Sequence, residues 1–243
     1  MRQISKLYYV KCFFIFIWLV IVCILGTLYS ILRWGNLNTN HHFSRLFSWG
    51  ALWILGLKVE VLGLEHLENH QPCVYIMNHQ SMLDVITFGS VYPQHTLIIG
   101  KKELAWIPFF GLYFIASGNI LINRQKKIKA IMNLSLAVDA VKKRAASIWI
   151  FPEGTRNKSV DPMLPFKKGA FLLAIQAGVP IVPMVCAPLG AVWDRKTKQM
   201  KRGILKIRVL PPVPTYPDQE KKLDSFIHET RELMLKALRG LET

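Results

Sequence analysis

Two short stretches of this chain hold residue types that perform chemistry rather than packing. The first is Asn78-His79-Gln80-Ser81-Met82-Leu83-Asp84. An imidazole held in one tautomer by a carboxylate can deprotonate an alcohol. It titrates near neutrality, so it can take the proton and later return it to a leaving group. On one continuous helix, side chains five positions apart point about 140° away from each other. His79 and Asp84 therefore meet only if His79 lies in a turn ahead of the helix that carries Asp84. Ser81 suits the N-cap of that helix, and Asp84 falls three residues later, where the acid of a capping box belongs. Alone, the pair reads more readily as a polar loop residue and a helix cap than as a catalytic pair.

The second stretch is Phe151-Pro152-Glu153-Gly154-Thr155-Arg156-Asn157, directly after an apolar run. Gly154 lets the backbone turn tightly and approach a ligand. Thr155 offers a hydroxyl, and Arg156 a planar fork suited to phosphate or carboxylate. An exposed turn arginine is the equally good plain reading, until position is considered. In open α/β sheets, ligands bind beyond the carboxyl ends of the strands. Lys101 and Lys102, Arg124, and Lys167 and Lys168 occupy similar places, after strands or before a helix, and together they would form an anion pocket beside His79. No Gly-x-Ser-x-Gly elbow or activated cysteine accompanies them, so direct attack by a substrate hydroxyl is the simpler scheme.

The elements that must position these residues are short. Strands are predicted at Lys58–Leu62, Cys73–Met77, Thr96–Ile99, Asn119–Ile122, Ser147–Phe151, Ile181–Val185 and Ile204–Leu210, each apolar and bounded by Gly, Pro, Asn or charge. Helices are predicted near Met82–Ser90, Leu104–Ala116, Lys126–Ala145, Lys168–Ala177 and Asp218–Leu241. In the third, Ile128, Ile131, Leu134, Val138 and Val141 form one apolar stripe with lysines opposite. This alternation implies an α/β fold with a mostly parallel central sheet flanked by helices. No repeat or linker divides residues 58–243, and the loop Pro188–Arg202 has no assigned role.

The chain carries 31 basic and 15 acidic residues, a formal net charge of +16, and is 51% hydrophobic. Such a surface attracts anions, whether lipid, nucleic acid, acidic carrier protein or phosphorylated substrate. No nucleic-acid motif accompanies the charge, so nucleic acid is not an expected partner. Cys12, Cys23, Cys73 and Cys186 show no metal-ligand or disulfide spacing and read as reduced small hydrophobes. No metal is expected.

Much of the apolar excess lies at the N-terminus. Cys12 to Leu32 is uncharged and, as a helix, roughly 31 Å long, enough to cross a hydrocarbon core. Arg33-Trp34-Gly35 is not a signal-peptidase site, so the run is expected to stay as an anchor. Basic residues stand on both sides of it, Arg2, Lys6 and Lys11 before and Arg33 and Arg45 after, which asks for both flanks on one side of the membrane. A second apolar stretch, Leu46 to Leu57, is too short to span. The expectation is a leaflet-embedded or re-entrant pair of helices in residues 1–57, followed by an α/β domain in 58–243. A single span followed by a buried amphipathic helix is the alternative.

Taken together and in order, the motifs resemble the glycerolipid acyltransferase family, and within it the 1-acyl-sn-glycerol-3-phosphate acyltransferases. Four blocks carry the resemblance: NHQSMLD at Asn78–Asp84, GNILINR at Gly118–Arg124, FPEGTRN at Phe151–Asn157 and VPIVP at Val179–Pro183. KKELAWIPFFG (Lys101–Gly111) and LPFKKGAF (Leu164–Phe171) add to it, and the similarity runs from about Leu57 to Pro214. The resemblance implies His79 as the catalytic base and Asp84 as its partner. It implies that Lys101 and Arg124, the latter sharing the second substrate-binding block with Gly118, bind the acceptor's phosphate, and that Glu153, Gly154, Thr155 and Arg156 serve the glycerol-phosphate moiety. The last block is implied to have an acyl-chain or structural role.

The implied reaction moves a fatty-acyl group from acyl-CoA or acyl-carrier protein, as co-substrate, to the sn-2 hydroxyl of lysophosphatidic acid at a membrane, with no cofactor. Short length and a two-part apolar N-terminus resemble the bacterial enzymes, which implies the inner membrane with the active site on the cytoplasmic face. The alternatives are another lysolipid acceptor within the family, or a non-catalytic membrane protein that binds anionic lipid.

Overall fold

The structure, a computed structural model, describes residues 6–68, 71–122, 127–159, 161–194 and 197–241. The chain opens with an antiparallel helical pair, α1 (Lys6–Leu32) and α2 (Thr39–Leu55). Then follow β1 (Leu57–Leu62), α3 (Glu65–Glu68), β2 (Val74–Met77), α4 (Leu83–Ser90), β3 (Thr96–Lys101), α5 (Phe110–Ala116), β4 (Ile120–Ile122), α6 (Lys127–Arg144) and β5 (Ser147–Ile150). The last elements are α7 (Gly169–Ala177), β6 (Ile181–Cys186), the hairpin β7 (Trp193–Asp194) and β8 (Gln199–Met200), β9 (Gly203–Val209) and α8 (Leu223–Arg239).

Seven strands form one sheet in the order β1-β9-β6-β2-β5-β3-β4. Every pairing is parallel except β6 with β9. β2, β5 and β6 lie at its centre and are buried almost throughout, as strands covered on both faces must be. Side chains alternate across the pleat. Val74, Ile76, Ile148 and Ile181 join the core under α6, α7 and α8. Tyr75, Met77, Trp149 and Val182 join the opposite core with residues of α1, α2 and α4.

The N-terminal pair is part of this second layer. α1 turns Val22, Cys23, Gly26, Thr27 and Ser30 inward, a spacing of small residues that lets neighbouring helices approach. A Cβ on Gly26 would stand 2.5 Å from the Tyr113 ring of α5. The other side of α1 exposes Phe13, Phe16, Ile17, Leu28 and Ile31. Asn40 of α2 and Asn119, just before β4, exchange two amide hydrogen bonds of 3.0 Å, and Tyr113 Oη donates to Asn40 Oδ1 at 3.3 Å.

Two elements differ from the sequence expectation. The helix expected at Leu104–Ala116 is split into a 3₁₀ turn, Lys102–Trp106, and α5. Pro108 lacks an N–H and drives Ile107 out of the helical region (ψ 119), and Phe109 follows at a φ of 62°. The unassigned loop Pro188–Arg202 contains the β7–β8 hairpin.

Candidate active site

β2 ends at Met77, and Asn78, His79 and Gln80 form the turn into α4. The Asn78 side chain fixes where the turn begins. Its Nδ2 donates to Cys186 O at 3.1 Å and its Oδ1 accepts from Cys186 N at 2.8 Å, which ties the turn to the end of neighbouring β6. Gln80 Nε2 donates to Cys186 O and Ala187 O at 3.0 and 3.2 Å.

His79 Nδ1 lies 2.7 Å from Asp84 Oδ2. The same oxygen accepts the backbone N–H groups of Gln80 (2.5 Å) and Ser81 (2.8 Å), and Ser81 Oγ accepts from Leu83 N at 2.9 Å. Asp84 thus holds the turn ahead of α4 and orients the imidazole with one fully buried carboxylate. With Nδ1–H directed at Asp84, the lone pair of Nε2 is left for a substrate proton. The ring stacks on Phe151 at 4.2 Å between centroids, 19° from parallel, which fixes its tilt.

The backbone of His79 is clamped from the β5 side. Its N–H donates to Glu153 Oε1 at 2.6 Å, and its carbonyl accepts from Asn157 N at 2.7 Å. Glu153 Oε2 accepts from Leu164 N at 2.9 Å, so both carboxylate oxygens hold backbone and the side chain is only 2% exposed. Burial pushes its pKa above the ordinary carboxylate range, partly offset by the two backbone N–H groups and by His79. Between the buried anchors Glu153 and Asn157, Gly154 turns with a φ of 71° and leaves Thr155 and Arg156 exposed.

The strand order places the remaining cations. β5 lies beside β2, and β3 beside β5, so Arg156 follows the strand next to His79. Lys101 ends the strand beyond, roughly 10 Å across at the usual strand spacing. Lys101 is exposed, while Lys168 is paired with Asp224 of α8 at 2.8 Å. Arg124 lies outside the described residues. Gly118 is not brought to His79. It precedes β4 at a φ of 79°, at the amino ends of the parallel strands and so opposite the carboxyl ends where His79 lies, and it lines a separate cavity.

Sequence reasoning did not find the clamping roles of Glu153, Asn157, Phe151 and Asn78. Only the position of FPEGTRN after a strand hinted that its loop would reach His79. The buried thiols are not rival nucleophiles: burial pushes Cys73 and Cys186 up to about 12. Among the described residues no group of three or more His, Cys, Asp or Glu is placed to hold a metal ion.

The sequence model of the Acyltransferase family matches residues 58–187. The 1-acyl-sn-glycerol-3-phosphate acyltransferase alpha of Ovis aries is 35% identical over 98% of this chain and 83% of its own length. The 1-acyl-sn-glycerol-3-phosphate acyltransferase of Escherichia coli K12 is 33% identical over 97% of this chain and 95% of its own. The crystal structure of the 1-acyl-sn-glycerophosphate (LPA) acyltransferase PlsC from Thermotoga maritima superimposes with a TM-score of 0.75. That match has 20% identity and covers 98% of this chain and 96% of that one, a likeness of fold.

Proposed function

The chain belongs to the acyltransferase family, and from that premise we propose that it acylates the sn-2 hydroxyl of 1-acyl-glycerol 3-phosphate to give phosphatidic acid, with His79 as general base. The observation that carries the role of His79 is its 2.7 Å contact with buried Asp84, in a turn clamped on both sides of the backbone. The acceptor hydroxyl gives its proton to Nε2 while its oxygen bonds to the carbonyl carbon of the acyl thioester. When the tetrahedral intermediate collapses, the C–S bond breaks and the imidazolium returns the proton to the departing thiolate. Arg156 and Lys101, joined by Arg124, hold the acceptor's phosphate. Glu153 serves as a positioning residue for His79. Acyl-CoA or acyl-carrier protein supplies the acyl group as co-substrate, and no cofactor takes part.

The chain associates with membranes through its N-terminal residues 1–57, and residues 58–243 carry the chemistry. α1 is long and apolar enough to cross a bilayer by length and composition. However, α2 and α5 pack against it, and Val22 and Cys23 are buried beneath. A perpendicular span would drag those neighbours into hydrocarbon. This supports a helix lying in one leaflet, exposed face inward to the lipid, with both basic flanks on the cytoplasmic side of a bacterial inner membrane.

The test is to incubate the protein with labelled acyl-CoA or acyl-carrier protein and a panel of lysolipid acceptors and glycerol 3-phosphate. Lysophosphatidate is expected to be the preferred acceptor, and preference for another would refute the acceptor assignment. His79→Ala should lower kcat roughly 10²–10⁴-fold with folding intact. Near-wild-type turnover in that variant would refute the mechanism.

A further inference from the structure

At the sheet edge away from His79, the ends of α1, α5 and α6 enclose a cavity of about 320 Å³, at the low end of the range of about 300–1,000 Å³ usual for small-molecule sites. Two arginines line it, Arg33 just past α1 and Arg144 at the end of α6, and no acidic residue does. Neither guanidinium is in an ion pair among the described residues. The nearest claim on Arg144 is a long contact, 3.5 Å, to Gly35 O. Gly118 leaves the wall beside Arg144 without a side chain, and a Cβ there would come within 3.9 Å of both its terminal nitrogens. Two arginines without an ion-pair partner lining one open cleft suit a phosphate, which guanidiniums bind with forked hydrogen bonds.

The setting identifies the source of that phosphate. The exposed apolar face of α1 runs to Ile31 and Leu32 and ends at Trp34, which is 80% exposed and lines the cavity. Tryptophan and arginine directly after an apolar helix mark the headgroup level of a membrane. Ile115 of α5, also lining the cavity, exposes its side chain on the same layer.

We propose that this cavity binds the phosphodiester headgroup of an anionic membrane phospholipid, at a site separate from that of the acceptor. The inference rests on the reading of α1 as lying in the leaflet, but not on His79 chemistry. A bound lipid here would hold this end of the helical layer at headgroup depth while the carboxyl ends of the central strands act on the acceptor.

The test uses the full chain in detergent, with dihexanoyl phosphatidylglycerol and inorganic phosphate as probes. Binding is followed by equilibrium titration and by the ligand-induced rise in Tm. Arg33→Gln with Arg144→Gln should weaken phosphatidylglycerol binding at least about tenfold, and Arg33→Lys should weaken it less, since an ammonium keeps the charge but not the forked contact. Both should leave kcat and KM for a short-chain, water-soluble lysophosphatidate unchanged. Arg156→Gln should give the reverse pattern, a raised KM with phosphatidylglycerol binding intact. Undiminished lipid binding in the double variant overturns the proposal, as does loss confined to Arg156→Gln. Inorganic phosphate binding as tightly as the lipid would refute the membrane source. Acyl transfer is not read in the binding arms, so failure of the lipid site and failure of the catalytic assignment are separable.

Discussion

Around His79, nearly every constraint is a directed hydrogen bond. The imidazole, the backbone on either side and the residue before it are each held by a named partner, and two buried carboxylates serve as hubs. The layer formed by α1, α2 and α5 is built differently. α1 packs through small residues, makes few side-chain hydrogen bonds to its neighbours, such as Trp18 Nε1 to Phe47 O, and leaves one whole side apolar and open. A base must keep its angle to a reacting oxygen, and a displacement of about 1 Å can cost 10²-fold in rate. A surface meeting fluid lipid needs only area and shape. Among the polar links between the helical layer and the rest of the fold are the Asn40–Asn119 pair and the bond from Ser48 Oγ of α2 to Ile86 O of α4.

The comparison breaks most readily at Asp84. Asp84→Asn keeps the volume but places an amide donor against His79 Nδ1 or against two backbone N–H groups. By analogy with the loss of the corresponding carboxylate in a serine-hydrolase triad, kcat should fall roughly 10³–10⁴-fold. Steady-state kinetics in detergent would check this, and a tenfold effect or less would mean that Asp84 only holds the turn. Glu153→Gln should come next. One of its oxygens becomes an NH₂ facing a backbone donor, so the clamp on His79 opens. We expect a drop in kcat of roughly 10–10²-fold, with the KM for acceptor little changed. A rise in KM at constant kcat would instead make Glu153 a ligand of the acceptor.

Much of this was legible in the sequence, for a physical reason. Each strand is a short apolar run closed by turn residues, so all seven strands of the sheet could be located; helical geometry set the condition for His79 to meet Asp84, a turn ahead of the helix, and the resemblance implied that they do. The clamp was hidden because Glu153 and Asn157 bind backbone atoms, which every residue carries and no motif announces. Gly118 was grouped with the substrate-binding residues as a member of a block that spans a strand, so the two ends of the block lie at opposite ends of that strand. The start of α2 at Thr39 was missed because Asn40 is polar, yet buried in an amide network that no local pattern reports.

The Asn40–Asn119 link between the regions should give a smaller effect. Asn40→Ala removes both amide bonds to Asn119, which keeps Ser117 Oγ and Ile98 N, and takes the acceptor from the buried Tyr113 hydroxyl, costing about 1–3 kcal/mol of stability. His79 and its clamp are untouched, so kcat should change less than about threefold, well below the effects of the rim substitutions. Thermal unfolding compared with turnover at a permissive temperature would check the split. Equal losses in both would show that the helical layer also sets the geometry of the rim.

The smallest effect is the pH dependence that buried Glu153 gives to stability. Burial raises the pKa of Glu153, so the folded chain holds that proton to a higher pH than the unfolded chain does. Its contribution is therefore fully present below the unfolded value, about 4.3, and is lost as pH rises through the folded value. Glu153→Gln has no proton to lose, so the difference in stability between wild type and variant should shift in the variant's favour across that window. Denaturant unfolding of both proteins at a series of acidic pH values would measure the shift. Parallel curves would mean that the two backbone N–H groups offset burial completely. The carboxylate would then be as well solvated by the protein as by water.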